Sequence, residues 1–405
     1  MHILFLTDNF PPEGNAPAIR TFEHAKEWVK KDTKVTVITC APNFPEGRVY
    51  SGYKNNWLKK EIIDGINIWR VKTYITANEG IFKRTLDYMS FMASSFFFSI
   101  FIKKVDVVIG TSPQFFTVLS AWAIAKIKGV KFIFELRDIW PASIEAVGAI
   151  KNNFIINLLR KIEIFLYRQA DLIVSVTYSF RKELIGRGIE ESKIHVVYNG
   201  VDLTTFIPSD KNPKMLKDYD LCNKFIAGYV GTHGMAHGLE TIIEAARILQ
   251  DDDEIRILLA GGGSERSRIE KFVIQENLKN IVLIPRQSRE SMPDLWSICD
   301  VALVNLKNKP LFKTVIPSKI FEAMSMGLPI LISIPEGEST KIIRDNKSGI
   351  IIPPEDPFKL AKAIKEMKSN EDKHHEYCRN SIAAAKNFDR MKLARQMHEL
   401  IIGII

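Results

Sequence analysis

The chain has 405 residues, a formal net charge of +9 and a hydrophobic content of 46%. This composition is ordinary for a globular protein, and the length predicts two or three domains of about 150 residues each. Its four cysteines lie far apart, without a Cys-x-x-Cys pair or a Cys/His cluster, which argues against both a disulfide framework and a zinc site.

The positive charge is concentrated in one half of the chain. Residues 1–200 carry 27 Lys and Arg against 19 Asp and Glu, a net of +8, and the remainder adds only +1. A basic half attracts a membrane surface, a pyrophosphate lipid or nucleic acid. No nucleic-acid motif accompanies the charge, so we expect the first two partners and no nucleic acid.

The opening residues run directly into a strand pattern, Met1–Phe5, without the basic region, apolar run and cleavage site of a signal peptide. We therefore expect no signal peptide. Together with the dispersed cysteines, this favours a reducing, cytoplasmic setting.

The first half alternates strand-like and helical segments, which predicts a parallel, doubly wound sheet. Ligands of such sheets bind outside the carboxyl ends of the strands. The predicted strands are His2–Thr7, Lys34–Cys40, Ile66–Thr73, Val105–Thr111, Lys131–Arg137, Ala170–Thr177 and Ile194–Tyr198.

Two strand ends of this half carry candidate site residues. Strand one leads into Asp8–Pro17, a loop made rigid by two prolines and containing Gly14. Another predicted strand delivers Arg137 and Asp138 to its carboxyl end, where the chemistry of this fold class lies. A plain strand-to-helix turn and a salt-bridged loop are the structural alternatives at these two places.

The segment Ile81–Lys104 is apolar and flanked by basic residues. Its apolar part is a little short of the roughly 20 residues that span a bilayer, and one Asp and several Ser interrupt it. We expect a helix that covers the next strand, either buried or also lying on a membrane surface with its cationic residues at the headgroups. The candidate membrane contacts are Lys83, Arg84, Lys103 and Lys104.

The Asn199-Gly200 dipeptide is a strong turn signal, and we place a hinge near residues 200–205. The alternation then restarts and predicts a second parallel sheet. Its predicted strands are Lys224–Thr232, Glu254–Gly263, Asn280–Arg286, Cys299–Leu306, Pro329–Ile334 and Gly349–Pro353.

The first strand of the second half enters a glycine-rich turn, Gly231–Gly238, which opens onto a helix. Such a turn is typical of a phosphate site. The spacing is G-x-x-G-x-x-x-G rather than G-x-G-x-x-G, which disfavours a dinucleotide-binding dehydrogenase. The acidic string Asp251–Asp253 precedes a strand, away from the ligand end, so we expect a solvated turn and no metal.

The segment Thr314–Ile330 predicts a loop, a short helix and a buried strand. Ser318 is a suitable helix cap, and Gly327 followed by Pro329 ends the helix. Lys319 at the helix start offers charge to a phosphate, and Glu322 one turn later offers acceptors to a pair of sugar hydroxyls. A plain helix-to-strand unit with a solvated Lys and Glu is the alternative.

The run E-A-M-S-M-G-L-P at 322–329 resembles the E-A-M-A-x-G-x-P motif of retaining glycosyltransferases of family four, and N-G-V-D at 199–202 resembles that family's interdomain linker. The resemblance implies the GT-B fold, an α/β architecture of two facing Rossmann-like domains with an interdomain cleft. The acceptor-binding domain would be 1–202 with a crossover helix at 388–405, and the donor-binding domain 203–387.

The resemblance also implies residue roles. Glu322 would hold the donor ribose, Asp138 with Arg137 would line the acceptor side, and the first-strand loop would approach the donor. The chain departs from the family at Thr314, which replaces a usual Glu, and at Thr232 and His237, which replace a usual Arg and Lys. The donor-binding candidates are Gly14, Asn15, Thr232, His233, Gly234, Gly262, Arg286, Ser318, Lys319 and Glu322, and the catalytic candidates are Asp138, His237 and Lys319.

The implied activity is retaining, metal-independent transfer of a sugar from a nucleotide sugar, without a cofactor. Similarity to bacterial O-antigen, capsule and colanic-acid transferases suggests a UDP-N-acetylhexosamine or its 6-deoxy relative, as in N-acetylfucosamine transferases. The acceptor would be a polyprenyl pyrophosphate-linked saccharide at the inner face of the cell membrane. A nucleotide-sugar 2-epimerase and a non-catalytic nucleotide-sugar-binding protein remain alternatives.

Overall fold

The computed structural model describes residues 1–44, 46–76, 81–142, 145 and 153–405. Within this part the chain forms two compact units. The first comprises residues 1–199 together with 390–405, and the second comprises residues 200–389. Each unit is an α/β structure built on its own sheet.

The strands of the described residues, in chain order, are β1 (His2–Leu6), β2 (Lys34–Cys40), β3 (Leu58–Ile63), β4 (Ile66–Val71), β5 (Val107–Thr111), β6 (Lys131–Leu136), β7 (Leu172–Ser175), β8 (Ile194–Val196), β9 (Phe225–Val230), β10 (Ile255–Ala260), β11 (Ile281–Ile284), β12 (Val301–Asn305), β13 (Ile330–Ser333) and β14 (Gly349–Ile352).

The described α-helices are α1 (Ala16–Val29), α2 (Ile81–Ile100), α3 (Phe115–Lys128), α4 (Asn153–Gln169), α5 (Tyr178–Gly186), α6 (Pro213–Asp218), α7 (Leu239–Ile248), α8 (Arg266–Gln275), α9 (Met292–Ser297), α10 (Lys319–Ser325), α11 (Glu338–Asp345), α12 (Pro357–Ser369), α13 (Glu371–Ala385) and α14 (Arg390–Ile402).

The sheet of the first unit has the order β3-β4-β2-β1-β5-β6-β7-β8. Its central strand β1 is buried along its whole length, as expected for a parallel strand covered by helices on both faces. All its pairings are parallel except β3 with β4. The sequence analysis missed β3 because Leu58–Ile63 carries Lys59, Lys60 and Glu61 and lacks an apolar run. Charged residues are typical of an edge strand.

The sheet of the second unit has the order β11-β10-β9-β12-β13-β14, with every pairing parallel. The predicted pair of parallel sheets is confirmed, and every strand predicted in this half is present with bounds that differ by no more than a few residues.

The strand order reverses at β1 in the first sheet and at β9 in the second. In open parallel sheets, ligands bind in the crevice outside the carboxyl ends of the strands at such a switch point. The loop from Asp8 to Asn15 follows β1, and the loop from Gly231 to Gly238 follows β9. The sheet topology and the sequence therefore indicate the same two loops as candidate ligand-binding segments.

The last helix, α14, packs on α1 within the first unit. The indole of Trp28 donates to the carbonyl oxygen of Ala394 at 2.8 Å and stacks on His398, whose ring centroid lies 6.3 Å away. Apolar residues of α14 join the core of the first sheet. The chain therefore returns to its first unit after completing the second.

Candidate functional site

In the second unit, backbone segments converge at the carboxyl ends of β9 and β10. Gly231 has φ +138° and Gly261 has φ +142°, values that favour glycine. A Cβ on Gly261 would lie 1.9 Å from the carbonyl oxygen of Gly231, and one on Gly231 would lie 2.9 Å from the Nζ of Lys319. The glycines thus allow the two strand ends and one lysine side chain to meet.

Lys319, the first residue of α10, places its ammonium group in this space. The Nζ is buried, and among the described residues it has no hydrogen-bond partner. It lies 3.5 Å from the ring centroid of Tyr229. Burial lowers the pKa of Lys319 to about 7, with the nearby Glu322 carboxylate acting in the opposite direction. A buried ammonium without an acceptor is costly, and an anionic ligand would compensate that cost.

Two histidines surround the same tyrosine. The ring centroids of His233 and His237 lie 5.9 and 6.1 Å from that of Tyr229. Burial lowers the pKa of His233 to about 4 and that of His237 to about 3, and in each case the Lys319 cation adds to the effect. Both imidazoles are therefore neutral near pH 7 in the free protein. In this state Lys319, rather than either imidazole, is the group of this cluster that can carry positive charge.

Glu322 is held by a buried tryptophan. The Nε1 of Trp296, a fully buried residue, donates to the Oε2 of Glu322 at 3.2 Å. This bond fixes the carboxylate one turn after Lys319 on α10. Ser318 has helical φ and ψ of −59° and −26°, and within the described residues its side chain makes no capping bond. Ser318 therefore occupies the predicted N-cap position, but its side chain does not contribute a capping hydrogen bond.

The remaining predicted donor residues of this unit lie around the same strand ends. Thr232 is exposed, and its carbonyl accepts the Tyr229 hydroxyl at 2.7 Å. Gly234 accepts the His237 N–H at 3.0 Å, and Gly262 accepts the His233 N–H at 2.8 Å. Arg286 is exposed beside Gly262.

The other predicted site residues lie in the first unit. Gly14 is exposed, and Asn15 caps α1 by accepting the Ala18 N–H at 3.0 Å. The backbone N–H groups of Arg137 and Asp138 donate to the Ser112 hydroxyl at 2.8 and 3.2 Å.

The Arg137 guanidinium is buried. Its Nη1 is buried and lacks a partner among the described residues. Burial lowers its pKa to about 10, and the neighbouring Glu135 carboxylate opposes this effect. Arg137 therefore remains cationic at neutral pH at the carboxyl end of β6.

The candidate membrane residues lie at the two ends of α2. Lys83, Lys103 and Lys104 are exposed, whereas Arg84 is half-buried and donates to the Tyr88 hydroxyl at 2.7 Å. Within the described ranges, no helix is both long and apolar enough to cross a bilayer.

Thr314, which departs from the family pattern, and Asp252 of the acidic string both have structural partners. The Thr314 hydroxyl donates to the Leu311 carbonyl at 2.8 Å and closes a short turn before α10. Asp252 of the acidic string accepts from the Lys368 ammonium at 2.7 Å. Among the described residues, no group of three or more His, Cys, Asp or Glu side chains is placed to hold a metal ion.

Sequence reasoning missed Tyr229, Trp296 and Asn305. The Asn305 Oδ1, at the end of β12, is buried and without a partner in the described part of the chain. An aromatic or amide side chain at the carboxyl end of a strand next to the switch point is the signal that marks Tyr229 and Asn305. Trp296 has no such signal, because its partner lies 26 residues away on another helix.

Two glycosyltransferase family models and a bacterial relative match this chain. Residues 18–205 match the model of Glycosyltransferase Family 4, and residues 208–387 match the model of Glycosyl transferases group 1. Over 339 residues the chain is 26% identical to WcaI of Escherichia coli K12, which is described as a colanic acid biosynthesis glycosyl transferase. That match covers 81% of this chain and 82% of WcaI.

Solved structures share the fold. Sucrose-phosphate synthase of Thermosynechococcus elongatus has a TM-score of 0.80 at 15% identity, covering 100% of this chain and 99% of that one. Anabaena HepE, solved in complex with UDP, has a TM-score of 0.72 at 16% identity, covering 100% of both chains. The predicted GT-B fold class is confirmed.

Proposed function

We propose that this chain, a glycosyltransferase with the GT-B fold, moves a sugar from a UDP-linked donor to a lipid-linked saccharide in bacterial surface polysaccharide synthesis. The observation that carries the proposal is the buried Lys319 ammonium beside the glycine-lined ends of β9 and β10. A nucleotide diphosphate supplies the anionic oxygens that this ammonium lacks. The similarity to WcaI supports the polysaccharide pathway, and the HepE complex supports a uridine nucleotide.

The Glu322 carboxylate supports the nucleoside part of the proposal. An ionised carboxylate has about four lone-pair sites, so the bond from Trp296 leaves capacity for further donors. The two hydroxyls of a ribose are such donors. Because α10 carries both Lys319 and Glu322, it sets the distance between the diphosphate and ribose positions.

The proposed reaction is retaining and metal-independent. The bond from the anomeric carbon to the diphosphate breaks, a bond to the acceptor oxygen forms on the same face, and the acceptor proton goes to the departing phosphate oxygen. Lys319 would stabilise the charge on the leaving diphosphate, the role a metal often has. His237 would be a donor to the same group, and Asp138 with Arg137 would contact the acceptor.

The exposed apolar surface of the first unit supports docking at the inner face of the membrane. Helix α2 packs on α3, and α3 packs on α4. All three expose large apolar side chains, and α2 has lysines at both ends, a combination typical of helices lying on anionic bilayers. The exposed apolar residues in and next to these helices are Leu86, Met89, Phe97, Ile100, Phe101, Ile127, Phe154, Ile155, Leu158 and Phe165.

The first test is a thermal-shift panel of UDP-, GDP- and ADP-sugars without added metal. We expect the melting temperature to rise with UDP-sugars and the rise to disappear in Lys319→Ala, whereas Lys271→Ala, which removes an exposed lysine of α8, should respond as the wild type. Absence of a shift with every nucleotide sugar would refute the donor site.

A turnover assay then separates the alternatives. Release of UDP that depends on a polyprenyl pyrophosphate-linked saccharide supports the transferase. Conversion of the donor to its 2-epimer without acceptor would identify an epimerase. Binding without any turnover across a panel of acceptors would identify a non-catalytic binding protein.

A further inference from the structure

A second polar cavity lies wholly within the first unit, at the switch point of its sheet. Its volume is about 290 Å³, and it is formed by the residues after β1, β2 and β5 beneath the first half of α2. The described residues that line it are Asp8, Asn9, Glu13, Asn15, Pro17, Cys40, Asn43, Phe44, Thr76, Arg84, Asp87, Tyr88, Phe91, Pro113 and Gln114.

Glu13 gives this cavity an unused hydrogen-bond acceptor. The residue is only 2% exposed. Its Oε1 accepts the backbone N–H groups of Asn43 and Phe44 at 2.7 and 2.9 Å. Its Oε2 is buried and has no partner among the described residues. Buried carboxylate oxygens rarely lack a donor, so this atom indicates a ligand that donates.

Two further carboxyl groups line the same space. Asp8 accepts a hydrogen bond from the Gln114 amide, and Asp87 enters from α2. Burial raises the pKa of Asp8 to about 6 and those of Glu13 and Asp87 to about 7. The Asp8 carboxylate adds to the upward shift of both Glu13 and Asp87, and Glu13 adds to that of Asp87. A ligand that donates hydrogen bonds to these groups would stabilise their ionised form.

The cations near these carboxyl groups come from three elements. Arg84 of α2 acts on Asp87, Arg70 of β4 acts on Glu13, and Arg137 after β6 is in turn affected by Asp8. The other titratable groups facing the cavity are Tyr88 and Cys40, whose pKa values burial raises. Three carboxyl groups thus line the cavity with Arg84 as the one lining cation among the described residues, which disfavours an anionic occupant.

The remaining lining suits a sugar. Asn9, Asn43 and Gln114 carry amide groups, and Tyr88 with Phe91 presents aromatic surface. Hydroxyl groups of a sugar donate to carboxylates, and its C–H faces pack on aromatic rings. The volume lies near the lower end of the roughly 300–1,000 Å³ found for small-molecule sites, so it suits one monosaccharide.

We propose that this cavity binds the terminal monosaccharide of the acceptor, and that this sugar is uncharged, with hydroxyls that donate to Glu13, Asp8 and Asp87. The inference rests on the proposed transferase function. It adds a recognition site and a specificity: a neutral hexose or N-acetylhexosamine is selected, and a uronic acid is rejected because its carboxylate would face three others.

The test uses the full chain and three probes, the methyl glycosides of glucose, N-acetylglucosamine and glucuronic acid, titrated by saturation-transfer NMR. We expect the neutral glycosides to bind and the glucuronide to bind at least fivefold more weakly. Glu13→Gln keeps an acceptor for the Asn43 and Phe44 N–H groups but presents NH₂ at the second position. It should weaken binding of the neutral glycosides at least tenfold.

A matched control is Glu163→Gln. Glu163 is a buried carboxyl of the same unit, its pKa is also raised to about 7, and it pairs with Arg187 and Tyr167 away from the cavity lining. This variant should bind the glycosides as the wild type does. Thermal melts of both variants report whether either simply fails to fold.

The binding should also depend on pH. Carboxylates accept from hydroxyls, so affinity is present above about pH 7 and is lost as the pH falls through 7 and 6, where these groups become protonated. We expect at least a fivefold loss between pH 8 and pH 5, and a smaller loss in Glu13→Gln.

The outcomes separate this inference from the proposed function. Failure of all three glycosides to bind, equal binding of the glucuronide, or wild-type affinity in Glu13→Gln would overturn the cavity assignment. UDP-sugar binding is measured on the same samples, and its retention in Glu13→Gln would show that the donor site stands by itself. Failure of the wild-type protein to bind any UDP-sugar would instead refute the proposed function.

Discussion

Replacing Lys319 by methionine is expected to stabilise the free protein and to weaken donor binding. Lowering the pKa of a lysine from 10.5 to about 7 corresponds to roughly 5 kcal/mol of cost for the charged form, an upper bound. The ammonium lies 3.5 Å from the Tyr229 ring centroid. This cation–π contact offsets about 0.5–2 kcal/mol of the cost of burying the charged form. Methionine is flexible enough to fill the same space without charge.

The expected gain in the free energy of unfolding is therefore at most about 3–4.5 kcal/mol at pH 7. For a unit of this size, residues 200–389, a gain of that size raises the melting temperature by roughly 6–18 °C. Donor affinity should fall about 10- to 100-fold, because the diphosphate loses a charge-assisted hydrogen bond worth roughly 1.5–3 kcal/mol. Differential scanning calorimetry and titration calorimetry with a UDP-sugar measure the two effects, with Lys271→Met as the exposed-lysine control.

The dependence on pH tests the cause. The folded pKa of Lys319 is below the unfolded value, so between about pH 7 and 10.5 the unfolded chain binds the extra proton and wild-type stability rises with pH. The difference in the free energy of unfolding between Lys319→Met and the wild type should be largest near pH 7 and should decrease towards pH 10. A variant that melts below the wild type at pH 7, or gains equally at pH 7 and pH 10, would refute the reasoning.

Four further expectations follow from the same sites. Glu322→Gln should weaken UDP-sugar binding about tenfold in titration calorimetry, since the ribose loses a charged acceptor; unchanged affinity would remove the ribose assignment. UDP-sugar affinity should decline from pH 7 to pH 9 as Lys319 deprotonates, and a flat profile would place the charge elsewhere. Turnover should survive EDTA, and a loss that magnesium restores would show a metal requirement. Neutralising three exposed lysines should reduce sedimentation with anionic vesicles but not with neutral ones, and equal binding to both would contradict a lysine-dependent surface; these residues are Lys83, Lys103 and Lys104.

Some of the donor-site proposal was visible in the sequence because it depends on local pattern. The glycine turn Gly231–Gly238 and the pair Lys319 and Glu322 are set by residue types at short spacing. The sequence did not show which of the ionisable side chains in these segments are charged at neutral pH. Burial, with a further contribution from the Lys319 cation, keeps His237 neutral in the free protein. Burial is a property of the packed unit and is not encoded at the position itself.

The sequence by itself determined the alternation of strands and helices, the two parallel sheets and the loops that follow the first strand of each half, since each follows from periodicity and turn chemistry within a few residues. Only the tertiary structure decided which distant groups meet. Trp296 reaches Glu322, Tyr229 lies under Lys319, and the Glu13 loop after β1 closes a cavity with Asp87 of α2. Such contacts join residues from separate elements, and they depend on strand order, which local patterns do not specify.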